Sequence, residues 1–136
     1  MATAGYSGTP LAKKLGIKEG STIALMNQPE HYFSLFTDFP ENVKFINSKI
    51  KVDFIHYFVK EEKLLVKDIV KLKKSIEQNG MIWISWPKKS SKVETDVTED
   101  VVRNIALKNG LVDIKVCAVD ETWSGLKLVI PLKDRK

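Results

Sequence analysis

The chain reads as an α/β fold: a three-layer sandwich whose mixed, mainly parallel sheet ends in a C-terminal antiparallel hairpin. Three observations predict this. Val52 to Val59 is apolar on both faces, as a strand in the middle of a parallel sheet is. The segment after it carries Leu65, Ile69, Leu72 and Ile76 at spacings of four, three and four, which places them on one helical face. Another apolar strand, Met81 to Trp86, follows that helix, and strand–helix–strand alternation favours parallel pairing with helices on both sheet faces.

The remaining elements follow in order. Thr9 can cap a short opening helix that has Pro10 in its first turn, Leu11, Ala12 and Leu15 on its apolar side, and Gly16 at its stop. Ser21 to Met26 is a buried strand. Asn27-Gln28-Pro29-Glu30 looks like a helix start, with the cap at Asn27 or Gln28, and the helix itself runs from His31 to Phe36. Val43 to Ile46 is a weaker strand. The long helix is expected from about Glu61 to Gln78, closed by Asn79-Gly80. Asp96 and Glu99 form a capping-box pattern before a stripe of Val97, Val101, Val102, Ile105 and Ala106 that reaches Gly110. Strands Val112 to Val119 and Thr122 to Ile130 finish the chain around a turn at Asp120-Glu121.

With 136 residues, 43% hydrophobic and 29% charged, the chain is expected to form one α/β domain spanning 1–136, with 1–8 loosely ordered. Its apolar runs fall short of the ~20 residues that cross a bilayer, and Met1 to Gly8 lacks the pattern of a secretory signal, so no membrane partner is expected. Cys117 is the single cysteine, which suits a reducing, cytoplasmic location. The net charge of +5 comes almost wholly from dispersed lysines, with Arg103 and Arg135 the only guanidinium forks. That composition reads as a solvated surface and disfavours nucleic acid as a partner.

Ligands of open α/β sheets sit beyond the carboxyl ends of the parallel strands. Two loops qualify. Trp86, Lys88 and Lys89 could stack a flat ligand and neutralise its charge, against the plainer reading of a core-covering indole with solvated lysines. Asn27, Gln28 and His31 could present a helix start and a titratable ring, against simple capping with a surface imidazole. His56 is expected to be buried, neutral and hydrogen-bonded. Two histidines without ligand-spaced cysteine or carboxylate partners make no metal site. Ser85 and Ser124 lack a nucleophile-elbow setting, and Cys117 reads as a small core side chain. Trp123-Ser124-Gly125 fits a bulge, with Trp123 expected in the core and pocket lining as its alternative.

The order from Val52 onward (strand, long helix, Gly80, strand, loop, helix, antiparallel pair) resembles the second half of a Rossmann-like methyltransferase. That family places a glycine-rich loop after its first strand, where the backbone approaches adenosylmethionine. The corresponding stretch here, Leu25-Met26-Asn27-Gln28-Pro29-Glu30, has no glycine, and the place of the family's ribose-binding acid, Val43 to Ser48, offers only Asn47. The chain is also short for that fold. The resemblance therefore implies the architecture without the cofactor, and no cofactor is expected. Gly80-Met81-Ile82-Trp83 with Trp86-Pro87-Lys88, together with Glu121 to Val129, resembles a bacterial family known only as domain of unknown function 3052. Its Trp-Ser-Gly turn is the most specific part, and it implies a small cytosolic bacterial protein without implying an activity.

The expected function is a non-catalytic binding or regulatory domain that takes a small anionic planar ligand or a protein partner, a second copy of the chain included. The alternatives are a divergent transferase-like enzyme acting at the strand ends, and a weak nucleic-acid accessory. No catalytic residue is assigned.

Overall fold

The computed structural model describes residues 9–46 and 50–136. Its elements are α1 (Leu11–Leu15), β1 (Thr22–Met26), β2 (Lys44–Phe45), β3 (Val52–Phe58), α2 (Glu62–Lys74), β4 (Ile76–Pro87), α3 (Glu99–Lys108), β5 (Val112–Ala118) and β6 (Trp123–Val129). Single 3-10 turns cover Tyr32–Leu35, Lys89–Ser91 and Leu132–Asp134. The six strands form one sheet in the order β2-β1-β3-β4-β6-β5. The first four run parallel, and β6 and β5 pair antiparallel at the far side. This is the mixed, mainly parallel sheet with a C-terminal hairpin that the sequence predicts.

The period-two alternation of the central strands sends side chains to two separate cores. On one face Ile55, Tyr57, Ile82, Ile84, Trp86, Leu126 and Leu128 meet Leu65, Ile69 and Leu72 of α2 and Val102, Ile105 and Ala106 of α3. On the other, Ile23, Phe54, Phe58, Trp83 and Trp123 are covered by Leu11, Ala12 and Leu15 of α1, together with Ile17 and Tyr32. Among the described residues, the helical part of this second cover is a five-residue helix and one 3-10 turn, which makes it thin. The Trp83 indole N–H, buried, donates to the Leu15 carbonyl at 2.7 Å and fastens α1 to the sheet. Gly16 follows in the left-handed region at φ 90°, as a helix-ending glycine does.

Several local expectations change once the chain is folded. The long helix stops at Lys74 rather than near Gln78, and Ile76 opens β4. Ile76 pairs with Val52, then the register shifts so that Phe54 meets Met81. Asn79-Gly80 thus lies in a bulge and is not a helix stop. A side chain at Gly80 would come within 3.1 Å of the Asp53 and Glu77 carbonyl oxygens, so glycine is there because two backbones converge. Ile76 stays in the same core as Leu65, Ile69 and Leu72, since a strand entering beneath the helix buries it equally well.

Helix caps come from farther away than the sequence suggests. Thr9 gives α1 no cap; the Asp38 carboxylate accepts from Ala12 N and Lys13 N at 3.1 and 3.2 Å. Asp96 does not begin α3. Thr98 caps that helix through Val101 N, whereas Asp96 accepts from Glu62 N at 2.7 Å and caps α2. Glu99 pairs instead with Arg103, which also binds Asp100 and, at 3.0 Å, Asp113 of β5. The Asn27-Gln28 cap is not formed either, because the segment after it makes only a 3-10 turn with no side-chain cap. The strand expected over Val43 to Ile46 shortens to Lys44–Phe45, and Asn47 and Ser48 lie outside the described residues, as do residues 1–8.

Two substitutions test this packing by chemical denaturation. Ile69, 1% exposed beneath α2, should cost about 2–5 kcal/mol on Ile69→Ala, as buried large-to-small changes do. Asp96→Ala should cost about 0.5–2 kcal/mol, the range for a lost helix cap, with amide exchange rising in the first turn of α2 and not of α3.

Candidate functional site

The strand order itself selects one place on the sheet. From β1 the chain steps outward to β2, then crosses back so that β3 lies on the other side of β1. Ligand crevices of open α/β sheets open outside the carboxyl ends at such a reversal. Here a crevice of about 210 Å³ lies there, lined by Asn27 after β1, by Phe58, Val59, Lys60, Glu61 and Leu64 around the β3–α2 junction, and by Trp123.

Each wall has a local cause. Asn27 sits at φ 60°, a left-handed conformation that asparagine tolerates better than most residues. Its carboxamide donates to the Phe58 carbonyl at 3.2 Å and so ties the end of β1 to the end of β3. The Lys60 carbonyl accepts from Thr95 Oγ1 at 2.6 Å and from Asp96 N at 3.3 Å, which stitches the loop after β4 to the loop after β3. Trp123 is 8% exposed and meets Phe58 edge-on, with ring centroids 4.9 Å apart. The Asp120 carboxylate holds the β5–β6 turn by accepting from Thr122 N and Trp123 N, and its second oxygen lies 3.3 Å from His31 Nε2.

The residues singled out in the sequence are divided by this geometry. β1 and β4 both run parallel to β3, so the loops of Asn27 to His31 and Trp86 to Lys89 open on the same sheet edge, with β3 between them. Asn27 lines the crevice. His31 is exposed and joins the β5–β6 turn through Asp120, and Gln28 is exposed and does not line the crevice. Trp86, 6% exposed, points into the α2–α3 core, because it is one residue out of phase with Ser85 on the opposite face. Lys88 is half-buried and its backbone N–H donates to the Thr122 carbonyl at 2.7 Å; Lys89 begins the exposed 3-10 turn. The crevice is lined instead by the aromatic rings of Phe58 and Trp123 and by one residue of each charge, Lys60 and Glu61. The signal for Lys60, Glu61 and Leu64 was their position just past the strongest strand; which strand lay beside β1 was not readable from local pattern.

Behind Phe58 runs a buried polar chain. Tyr32 Oη lies 2.9 Å from His56 Nδ1, and His56 Nε2 lies 2.8 Å from Ser85 Oγ. His56 is fully buried and stacks on Phe58 at 4.3 Å. Burial pushes the imidazole down to about 3 and the Tyr32 phenol well above its ordinary range. Gly125 covers Ser85: a side chain there would lie 3.3 Å from Ser85 Oγ and 3.1 Å from the Trp83 ring. A serine–histidine contact of this kind can activate a nucleophile only where a substrate reaches it. Ser85 and His56 are both 0% exposed, so the chain serves as a satisfied polar strut.

This strut gives the fold an acid sensitivity. The unfolded chain takes up a proton on His56 below about pH 6.5, while the folded chain refuses it down to about pH 3. Stability should therefore be complete above about pH 6.5 and fall as the pH drops toward 3, with this group adding a slope of up to about 1.4 kcal/mol per pH unit. Urea titrations between pH 7 and 5 should show the decline, and His56→Gln, at lower overall stability, should flatten it.

Among the described residues no group of three His, Cys, Asp or Glu side chains is placed to hold a metal ion, and no helix is long and apolar enough to cross a membrane. The fold is similar to a SAM-dependent methyltransferase from Aquifex aeolicus, at TM-score 0.62 and 19% identity over 88% of this chain and 87% of that one. It is also similar to the magnesium protoporphyrin IX methyltransferase of Synechocystis PCC 6803 with bound SAM (0.57, 10%, 89% and 74%). An O-methyltransferase from neocarzinostatin biosynthesis gives 0.64 at 6% identity, over 82% of this chain and 49% of that chain. At such identities the likeness is one of fold alone. No curated protein matches the sequence. The family model for proteins of unknown function DUF3052 matches residues 46–132, more than half of the chain, and the chain belongs to that family.

Proposed function

We propose that this chain is a non-catalytic binding or regulatory module that keeps a methyltransferase-like frame and uses the β1–β3 crevice for a small, flat, anionic ligand. The observation carrying this reading is the Asn27 carboxamide bonded to the Phe58 carbonyl across the crevice. A dinucleotide or adenosyl cofactor needs glycine after β1 so that backbone can approach it. Here that stretch has none, and the Asn27 side chain spans the approach. The remaining volume of about 210 Å³ is below the roughly 300–1,000 Å³ of sites for drug-sized ligands. The residues present thus do not fit adenosylmethionine. A fragment-sized aromatic carboxylate is a better match, with Trp123 as its apolar wall and Lys60 among the lining residues to meet its charge.

The rival reading, a divergent transferase, draws on the likeness to a SAM-dependent methyltransferase along 87% of that protein's length. Calorimetry separates the two. Adenosylmethionine at millimolar concentration should give no binding heat, and a micromolar Kd would overturn the non-catalytic reading. Benzoate, titrated in two-dimensional NMR, should shift the Trp123 indole and Asn27 carboxamide signals, and Lys60→Ala should weaken that response. Shifts confined to surface lysines would remove the crevice from consideration.

A further inference from the structure

A second charged feature lies on the other part of the sheet. Lys115 of β5 and Lys127 of β6 are directly paired across the antiparallel hairpin, so their side chains leave the same face side by side. Lys127 also pairs with Trp83 of β4, whose indole binds the Leu15 carbonyl, so this is the face that α1 covers only in part. Lys14, at the end of α1, reaches to 3.4 Å from the Ala118 carbonyl, and Lys18 follows in the turn after α1. None of these four lysines forms an ion pair among the described residues. Like charges directly opposite one another on a sheet destabilise it. Lys127 bears this most: it is half-buried, and burial, with Lys115 and Lys18 close by, pulls its ammonium below the ordinary lysine range.

The lysines grouped at the end of α2 do not present this problem. The groove holding Lys51, Lys73, Lys74 and Lys136 also holds Asp134, and Lys73 and Lys74 lie in the last turn of α2, where the helix dipole favours cations. The hairpin lysines have neither compensation. We propose that Lys18, Lys115 and Lys127 form a binding site for a compact, multiply charged oxyanion of the pyrophosphate or polyphosphate class, separate from the β1–β3 crevice. Two lysines paired across the hairpin, with Lys18 close to Lys127, suit a dense anion. A nucleic-acid backbone, in contrast, needs a long basic track with stacking aromatics, and the exposed aromatics among the described residues, Phe33 and Phe45, lie on the β1–β2 side of the sheet.

The test uses the whole chain with inorganic tripolyphosphate as the probe, at low salt and matched ionic strength. Tripolyphosphate should raise the melting temperature of the wild type, and orthophosphate should do so much less. In the double variant Lys115→Gln, Lys127→Gln, the ligand-free protein should melt higher than the wild type, because a repulsion is gone, while tripolyphosphate affinity by calorimetry drops by roughly tenfold or more. Lys18→Gln, outside the sheet, should weaken binding without altering the fold. Lys63→Gln with Lys67→Gln, on the exposed side of α2, should leave it unchanged. The proposal fails if tripolyphosphate gives no shift, or if the shift survives in the hairpin double variant. It also fails if a thymidine oligonucleotide binds more tightly than tripolyphosphate through the same lysines, since the site would then belong to an extended polyanion.

Discussion

The bond from the Trp83 indole to the Leu15 carbonyl holds together the face on which this fold is most thinly covered. β3 and β4 are buried on both sides, so the sheet needs two covers. One is generous, because α2 and α3 bring a continuous apolar stripe. The other is a five-residue helix, too short to be stable alone, since isolated helices of that length do not recover their nucleation cost. It persists because Trp83 accounts for one of its unpaired carbonyls, Asp38 accepts from two of its orphan N–H groups, and Leu11, Ala12 and Leu15 bury against the sheet. Breaking the Trp83 bond would strand a buried donor, at a cost of about 1–3 kcal/mol.

The polar chain from Tyr32 through His56 to Ser85 follows from the same shortage of cover. A phenylalanine-rich face closed by one turn of 3-10 helix positions Tyr32 over the sheet, and the hydroxyl finds His56. Phe58 then separates this strut from the crevice at the β1–β3 reversal, while edge-on contact with Trp123 sets the crevice wall. The cover, the strut and the crevice are thus consecutive layers of one arrangement. They share Phe58, whose ring touches Tyr32, His56 and Trp123 in turn.

The family match begins at residue 46, so it takes in β3 through β6 and leaves α1, β1 and β2 outside. The crevice is built from both parts: Asn27 comes from outside the matched span, and Phe58, Lys60 and Trp123 from within it. The lysines of the proposed anion site divide in the same way, with Lys115 and Lys127 of the hairpin inside and Lys18 outside. The β1 loop thus contributes to the crevice, and the turn after α1 contributes to the proposed hairpin site.

By itself the sequence determined the fold class, the antiparallel finish and the inward faces of α2 and α3, because those depend on period and on apolar content within short windows. It also determined that His56 is buried, since an imidazole amid Phe54, Ile55, Tyr57 and Phe58 has no way out of a central strand. Only the tertiary structure decided the rest. Asp96 looked like a cap for the helix it precedes and instead serves one 34 positions back, because a carboxylate bonds whichever orphan N–H the fold brings near. Gly80 marked a bulge and not a stop, since the converging carbonyls belong to Asp53 and Glu77. Trp86 sits in the core, as its plainer reading had it, and Trp123 both packs in the opposite core and lines the crevice, through one residue of strand phase and the antiparallel register that sets Trp123 against Pro87. Spatial order in a sheet is a long-range property, and a ligand crevice forms where that order reverses, so its walls could not be read from neighbours along the chain.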